Sequence, residues 1–222
     1  MIDIAKIKET LPPSVRLIAV SKQVGADAIR EAYGAGVRDF GENRVQEAIA
    51  KQEQLQDLSD ITWHFIGHLQ TNKAKLALER FDWIHSVDRL KLAQELNRLI
   101  ERGSPSPSLL LQVKLAADPQ KSGWMAEELL ADLPELDRLE FLKIQGLMTI
   151  LPLGLTPEDA RSVFRQTRLL GDRIRTANFS RISMAQLSMG MSEDYPLAVT
   201  EGATMVRLGR ILFGERSKSE QL

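Results

Sequence analysis

The amino-acid sequence predicts an α/β fold made of one closed (β/α)8 barrel, the architecture known as the TIM barrel. Short apolar runs alternate with longer segments of helical period about eight times along the chain. Several runs are apolar on both faces, as parallel strands covered by helices must be. The length of 222 residues suits a barrel of this kind. An open doubly wound sheet is the alternative, but its nucleotide-binding form needs a GxGxxG fingerprint, which VSKQVGAD after the first run lacks.

Eight apolar runs mark the predicted strands. In chain order they are 15–21, 37–42, 62–68, 83–87, 108–115, 141–150, 185–189 and 204–209. Apolar residues recur with a helical period between them, for example over 45–55, 92–100 and 160–174. Residues 1–12 predict an amphipathic N-terminal helix, and the polar residues 215–222 predict a frayed tail. No linker divides the chain, so residues 1–222 are expected to form a single domain.

Composition excludes several classes of function. The chain is 43% hydrophobic and 27% charged with a net charge of -1, so neither a nucleic acid nor an acidic membrane surface is an expected partner. It has no cysteine, which excludes disulfides and thiolate chemistry. The three histidines show neither HxH nor HExxH spacing, so no metal site is expected. Without a signal-like segment or an apolar run of about 20 residues, a cytoplasmic protein is expected.

The first strand runs directly into a lysine, in LIAVSK (17–22). Active sites of (β/α)8 barrels lie at the carboxyl ends of the strands, which is where Lys22 is expected. A lysine that loses hydration in a pocket is more readily the neutral amine, which attacks a carbonyl to form a Schiff base. The alternative is a lysine that extends into solvent at a strand end.

The stretch 187–214 predicts a phosphate-binding site, because such barrels often bind phosphate in the loops after strands seven and eight. The predicted ligands are hydroxyls and backbone groups of this stretch, namely Ser188, Gly190, Thr204, Gly209 and Arg210. Arg207, in the last strand, is expected to face the phosphate or the ring nitrogen of a cofactor, or else to form a plain salt bridge. The same glycines and serines also suit turns and caps, and Ser192 is expected to cap a helix.

A Schiff-base lysine and a phosphate site in one barrel suggest pyridoxal 5′-phosphate, PLP, or a sugar phosphate bound by an aldolase. Asn43 is expected either to touch the cofactor through its amide or to cap a helix. Met148 is expected either to pack against a flat ring or simply to fill the barrel. His64 is expected to be a satisfied core histidine rather than a ligand, and Glu42 is expected to pair with Arg44 or to face solvent.

Seven ordered motifs resemble the pyridoxal phosphate homeostasis protein family, in a bacterial or cyanobacterial form. They are AVSK (19–22), FGENRVQE (40–47), WHFIGHLQTNK (63–73), HSVD (85–88), GLMTI (146–150), LSMGMSEDY (187–195) and GATMVRLGRILFG (202–214). The resemblance implies a barrel like the N-terminal domain of alanine racemase, without the C-terminal β domain. It implies that Lys22 forms the Schiff base and that Ser188 binds the phosphate, with Arg207 and Gly209 nearby. It also implies a role in PLP supply and amino- and keto-acid balance, with no defined catalysis.

A PLP-dependent racemase or lyase acting on a small amino acid is the alternative function. Racemisation needs a proton donor on each face of the PLP–substrate plane, and Lys22 serves only one. The tyrosines, Tyr33 and Tyr195, are expected to pack rather than to act as acids. The expected partners are therefore PLP and the PLP-dependent apo-enzymes that receive it, and the protein is expected to be a monomer.

Overall fold

The computed structural model describes residues 4–116, 118 and 121–214. Eight parallel strands close into a barrel in sequence order, each pairing with the next and the last with the first. The strands are β1 Arg16–Val20, β2 Asp39–Glu42, β3 Thr62–Phe65, β4 Trp83–Val87, β5 Ser108–Val113, β6 Lys143–Thr149, β7 Ile182–Ser188 and β8 Met205–Leu208. The predicted (β/α)8 barrel is therefore confirmed.

One helix precedes the first strand, and one follows each strand around the outside of the barrel. They are α1 Ile4–Thr10, α2 Ala26–Gly34, α3 Val45–Gln54, α4 Ala74–Arg80, α5 Leu90–Glu101, α6 Ala126–Asp137, α7 Pro157–Thr176, α8 Tyr195–Thr200 and α9 Arg210–Phe213, with a 3-10 turn at Thr71–Lys73. The predicted tail 215–222 and residues 1–3 of the predicted first helix lie outside the described residues. None of the helices that the structure describes is both long and apolar enough to cross a membrane.

The start of α7 shows how local sequence sets these elements. Thr156 is the N-cap, and its Oγ1 accepts a hydrogen bond of 3.2 Å from the N–H of Asp159. Pro157 occupies the first turn, where its missing N–H would have no helical partner in any case. Glu158 and Asp159 place negative charge near the positive end of the helix dipole.

Strand β7 begins earlier than the predicted run 185–189. Its first residues alternate between buried and partly exposed, with Ile182 and Met184 buried on either side of Ser183. The sequence prediction followed continuous apolar runs, and an alternating segment gives no such run. The missed residues extend the strand backwards and leave its carboxyl end near the predicted position.

A small apolar cluster fills the barrel. Ile18, Leu110, Met148 and Met205 are buried together. They come from four strands spaced around the closed barrel, so their contact point lies in its interior. The larger apolar core lies between the strands and the surrounding helices. Because successive strand residues face opposite sides, each strand supplies side chains to both cores.

Strand β1 lies between β2 and β8, and the register of these pairs positions the site. Val20 lies opposite Gly41 of β2, and Ala19 lies opposite Leu208 of β8. Continuing both registers past the ends of the strands brings Lys22 beside Asn43 and brings Gly209 beside the end of β1. Three of the predicted site residues therefore meet at the carboxyl end of the barrel.

Candidate functional site

Lys22 follows β1 at the mouth of the barrel and is partly buried. The interior face of β1 carries Ile18. Because side chains alternate along a strand, Val20 and Lys22 belong to the same face. The predicted strand-end lysine thus lies on the face that lines the barrel mouth, next to Asn43 of the neighbouring loop.

Asn43 carries a buried amide oxygen without a partner. Its Oδ1 has no hydrogen-bond partner among the described residues and is shielded from solvent. The helix-capping alternative does not hold, because the N-cap of α3 is Arg44 and this end of the helix has no side-chain cap bond. The backbone of Asn43 packs tightly against Gly67. A Cβ added to Gly67 would lie only 2.2 Å from the Asn43 carbonyl oxygen. An unsatisfied polar atom in a fixed loop marks a place where a ligand donor fits.

A chain of buried polar side chains crosses the barrel below this mouth. Arg207 Nη1 donates to Ser188 Oγ at 2.7 Å, and Ser188 Oγ lies 2.9 Å from His85 Nδ1. His85 Nε2 lies 2.9 Å from His64 Nδ1, and His64 Nε2 lies 2.9 Å from Asp39 Oδ1. The chain links β8 and β7 to β4, β3 and β2. His64 is fully buried within it, as a satisfied core histidine, which is what the sequence predicts.

The proton positions along this chain follow from its anionic end. The Asp39 carboxylate only accepts, so His64 carries its proton on Nε2. Burial lowers the pKa of His64 and lowers that of His85 still further below its usual range, which keeps both rings neutral. His64 Nδ1 is then an acceptor, and His85 donates to it from Nε2. The bare Nδ1 of His85 accepts the Ser188 hydroxyl proton. Every hydrogen bond therefore points from Arg207 towards Asp39.

Arg207 supplies a buried cation at the other end of the chain. Its second donor, Nη2, bonds the carbonyl oxygen of Thr149 at 2.8 Å, and the residue is 3% exposed. Burial lowers its pKa to about 10, so the guanidinium keeps its charge at neutral pH. The alternative of a plain salt bridge does not hold among the described residues, because both hydrogen-bond partners of the guanidinium are neutral oxygens.

Ser188 lies inside the barrel below the mouth, whereas the sequence predicted a hydroxyl that contacts the phosphate. It is fully buried, and its hydroxyl accepts from Arg207 while donating to His85. With that donor already used, the side chain has no proton to give to a phosphate unless the bond to His85 breaks. Its backbone, at the end of β7, still borders the loop that leads into α8.

Ser192 is the residue whose role the sequence missed. It does not cap α8, whose N-cap is Asp194. Instead its Oγ accepts from the N–H groups of Gly209 and Ile211, at 3.3 Å and 3.4 Å. These contacts place a hydroxyl beside two backbone donors at the start of α9. The signal was present in the repeated serines of LSMGMS, but only the fold shows which serine faces that turn.

Gly190 and Arg210, also predicted to bind the phosphate, bring only backbone groups to the mouth. Gly190 has φ of +92°, and a Cβ there would lie 2.6 Å from the Cβ of Ala198, so packing against α8 already requires a glycine. The Arg210 side chain turns outward to a carboxylate oxygen of Glu193 at the surface. Arg210 therefore offers the mouth its backbone rather than its guanidinium.

Thr204 and Met148 do not join the mouth. Thr204 precedes β8, at the entry end of the strand, where its Oγ1 accepts from Leu187 N at 2.8 Å and donates to Gln186 Oε1 at 2.8 Å. The predicted phosphate contact of Thr204 is corrected, because the hydroxyl is used between strands. Met148 is fully buried in the interior cluster, where it fills the barrel.

Comparisons with known proteins match this barrel along almost its whole length. The family model described as alanine racemase, N-terminal domain, matches residues 3–217. A pyridoxal phosphate homeostasis protein of Synechocystis sp. is 54% identical over 96% of this chain and 96% of its own length. The solved structure of PipY of Synechococcus elongatus with PLP bound has a TM-score of 0.91 and 53% identity, covering 96% of this chain and 98% of that chain.

A more distant protein shares only the fold with this chain. An alanine racemase of Clostridium difficile 630 has a TM-score of 0.74 at 17% identity. The match covers 98% of this chain and 56% of the racemase. The barrel described here thus has the same architecture as the matched part of that enzyme.

Proposed function

Because this chain belongs to the pyridoxal phosphate homeostasis protein family, with the barrel of the alanine racemase N-terminal domain, we propose that it binds PLP through a Schiff base with Lys22. The observation that carries the proposal is the meeting of Lys22, Asn43 and Gly209 at one end of the barrel. The likeness to a protein solved with PLP bound supports it further.

The residues at the mouth fit the chemistry of PLP. When bound, PLP supplies an aldehyde that condenses with an amine and releases water. The partly buried Lys22 offers that amine, and the unsatisfied Oδ1 of Asn43 offers an acceptor for a polar group beside it. Arg207 contributes a cation below the mouth, which favours a ligand that carries negative charge.

We assign the phosphate to the turn formed by Ser192 and the start of α9. The N–H groups of Gly209 and Ile211 now donate to the Ser192 hydroxyl at 3.3 Å and 3.4 Å. A phosphate would replace these long contacts with shorter charge-assisted ones, because backbone donors of this kind bind anions. Gly190 and Arg210 border the turn through their backbone. Ser188 and Arg207 then act from below, as an interior support rather than as phosphate ligands.

The proposed role is that of a PLP carrier or regulator that serves PLP homeostasis and amino- and keto-acid balance. A racemase needs a second acid or base opposite Lys22. Tyr33 donates a hydrogen bond to Asp60 on the exposed exterior of the barrel, so it does not supply that group. Delivery to PLP-dependent apo-enzymes, a monomeric state and a cytoplasmic location stay predictions.

Visible absorption spectra of the purified protein and of Lys22→Ala test the proposal. We expect a yellow wild type whose absorbance is trapped on Lys22 by borohydride, and a variant that has lost this absorbance. A wild type that stays colourless after PLP is added would contradict PLP binding and favour the aldolase alternative. Turnover of alanine, serine or threonine in either configuration, above the rate with free PLP, would overturn the carrier role in favour of a racemase or lyase.

A further inference from the structure

The turn that carries Lys22 is tied to helix α3 on both sides of the lysine. The carbonyl oxygen of Ser21, just before Lys22, accepts a hydrogen bond of 2.7 Å from Lys51 Nζ. The N–H of Gln23, just after it, donates to Oε1 of Glu47. The N–H of Val24 closes the turn on the Ser21 carbonyl at 2.9 Å. The backbone on either side of Lys22 is therefore held by one helix.

Lys51 is the centre of these contacts. Its Nζ also donates to Oε1 of Glu42 and to Oε1 of Glu47, each at 2.7 Å, so all three ammonium N–H groups are used. The Ser21 hydroxyl donates to the same Glu42 oxygen at 2.6 Å. The expectation that Glu42 pairs with Arg44 or faces solvent is therefore wrong, because Glu42 is fully buried against Lys51.

The cluster of Glu42, Glu47 and Lys51 lies in the wall of the barrel rather than in its mouth. Side chains alternate along β1 and β2, so Lys22 and Asn43 face the interior while Ser21 and Glu42 face the helices. Lys51 is only 7% exposed, and its ammonium is fully used within the wall. A ligand in the mouth meets Lys22, not these charges.

Fold stability alone does not explain such a cluster. A buried ion pair often contributes no more than an apolar pair of the same shape. Burial raises the pKa of Glu42, against the hydrogen bonds from Lys51 and Ser21, and Glu42 Oε2 has no hydrogen-bond partner in the described part of the chain. Gln23 also has a left-handed φ of 58°, a conformation that costs a non-glycine residue about 1–2 kcal/mol. These costs fall on the turn that presents Lys22 and on the strand residue that anchors it.

We propose that Glu42, Glu47 and Lys51 are positioning residues that fix the 21–24 turn, so that the amine of Lys22 is presented to the aldehyde of PLP. The inference rests on the proposed role of Lys22. Lys51 holds the backbone before the lysine, Glu47 holds the backbone after it, and Glu42 anchors both Lys51 and Ser21. The cluster acts through the turn and makes no contact with PLP.

Lys51→Met tests the proposal, with Lys75→Met as the matched control. Lys75 forms a similar i,i+4 pair with Glu79 on α4, but that pair is exposed. We expect Lys51→Met to slow the formation of borohydride-trappable PLP on Lys22 by about tenfold or more, because small misplacements of a reacting group lower rates steeply. In the apo-protein, hydrogen exchange of the Val24 amide should rise in the same variant and not in the control.

A pair of changes at Glu47 keeps the test decisive if Lys51→Met does not fold. Glu47→Ala removes the acceptor for the Gln23 N–H, whereas Glu47→Gln keeps an oxygen there. We expect the alanine variant to lose rate and amide protection and the glutamine variant to recover most of both. Equal rates in Glu47→Ala, Glu47→Gln and Lys75→Met would overturn the positioning role while leaving Lys22 as the attachment site. Trapped PLP in Lys22→Ala would instead show that the proposed function itself is at fault.

Discussion

Arg207 donates a hydrogen bond of 2.7 Å to the hydroxyl oxygen of Ser188 inside the barrel. Both residues were expected to contact a ligand directly, yet each is fixed first by the other. The contact continues through His85 and His64 to Asp39, so the floor of the proposed PLP site is one polarised chain of hydrogen bonds. A change at one member of such a chain alters the others, because buried polar groups depend on their partners.

Arg207→Met is expected to weaken PLP binding about tenfold or more. The change removes a buried cation together with its hydrogen bonds to the Thr149 carbonyl and the Ser188 hydroxyl. Loss of the cation below the mouth lowers the affinity for an anionic ligand. The two lost hydrogen bonds, each worth about 1.5–3 kcal/mol, lower the stability of the fold as well. Titration of the apo-protein with PLP, followed by absorbance, measures the change. Arg138→Met, at an exposed helical ion pair, is the control. Equal PLP affinities in Arg207→Met and Arg138→Met would mean that Arg207 does not contribute to PLP binding.

The two buried histidines predict a loss of stability in mild acid. Burial lowers the pKa of His64 and of His85 below the ordinary value of about 6.5. The unfolded chain therefore binds protons that the native state does not, so the free energy of unfolding decreases as pH falls below about 6.5. Each histidine contributes a slope of up to about 1.4 kcal/mol per pH unit until its native pKa is reached.

His85→Gln isolates one of these contributions. Urea unfolding of the apo-protein at several pH values should give a shallower pH slope than in the wild type, by about one proton. Gln166→Ala is the control, because it changes an exposed helical side chain that does not titrate. An unchanged slope in His85→Gln would mean that His85 is protonated in the native state, and the proton order along the chain would then be wrong.

The sequence predicted the barrel and the place of Lys22 for the same physical reason. Strands buried on both faces give continuous apolar runs, and the carboxyl ends of parallel strands meet at one end of a barrel. Lys22 and Asn43 each follow such a run and Gly209 ends one, so their meeting needed no knowledge of side-chain packing. What the runs do not give is the register, and with it the direction in which each polar residue points.

The residues that sequence reasoning misplaced all depend on that register. Thr204 begins the last predicted run and precedes β8, but its hydroxyl bonds Gln186 and the Leu187 N–H instead of a phosphate. Ser188 and Ser192 are both serines near the end of β7, and only the pairing across the barrel with His85 separates their roles. Lys51 gave no signal, because a lysine at helical spacing normally faces solvent.

Gly190→Ala is expected to destabilise the fold by about 1–3 kcal/mol. Gly190 has a left-handed φ of +92°, and the added Cβ would lie 2.6 Å from the Cβ of Ala198. Thermal unfolding measures the loss. Gly34→Ala is the control, because Gly34 lies in α2 with open space around it and an alanine there should be neutral or slightly stabilising. Equal melting temperatures would mean that α8 moves away without cost.

Ser192→Ala and Ser188→Ala should separate the phosphate turn from the interior chain. Ser192 Oγ lies beside the N–H groups of Gly209 and Ile211, whereas Ser188 Oγ is held between Arg207 and His85. We therefore expect Ser192→Ala to weaken PLP binding about tenfold while leaving the fold stable, since it removes one hydroxyl from an anion-binding turn.

Ser188→Ala is expected to act on the fold first. It leaves His85 Nδ1 buried without a donor, which costs about 1–3 kcal/mol in the free energy of unfolding. It should also shift the imidazole nitrogen resonances of His85 in the apo-protein. PLP and pyridoxal, which lacks the phosphate, then distinguish the two serines. Loss of the preference for PLP should follow Ser192→Ala and not Ser188→Ala. The opposite result would return Ser188 to the phosphate role that its motif first suggested.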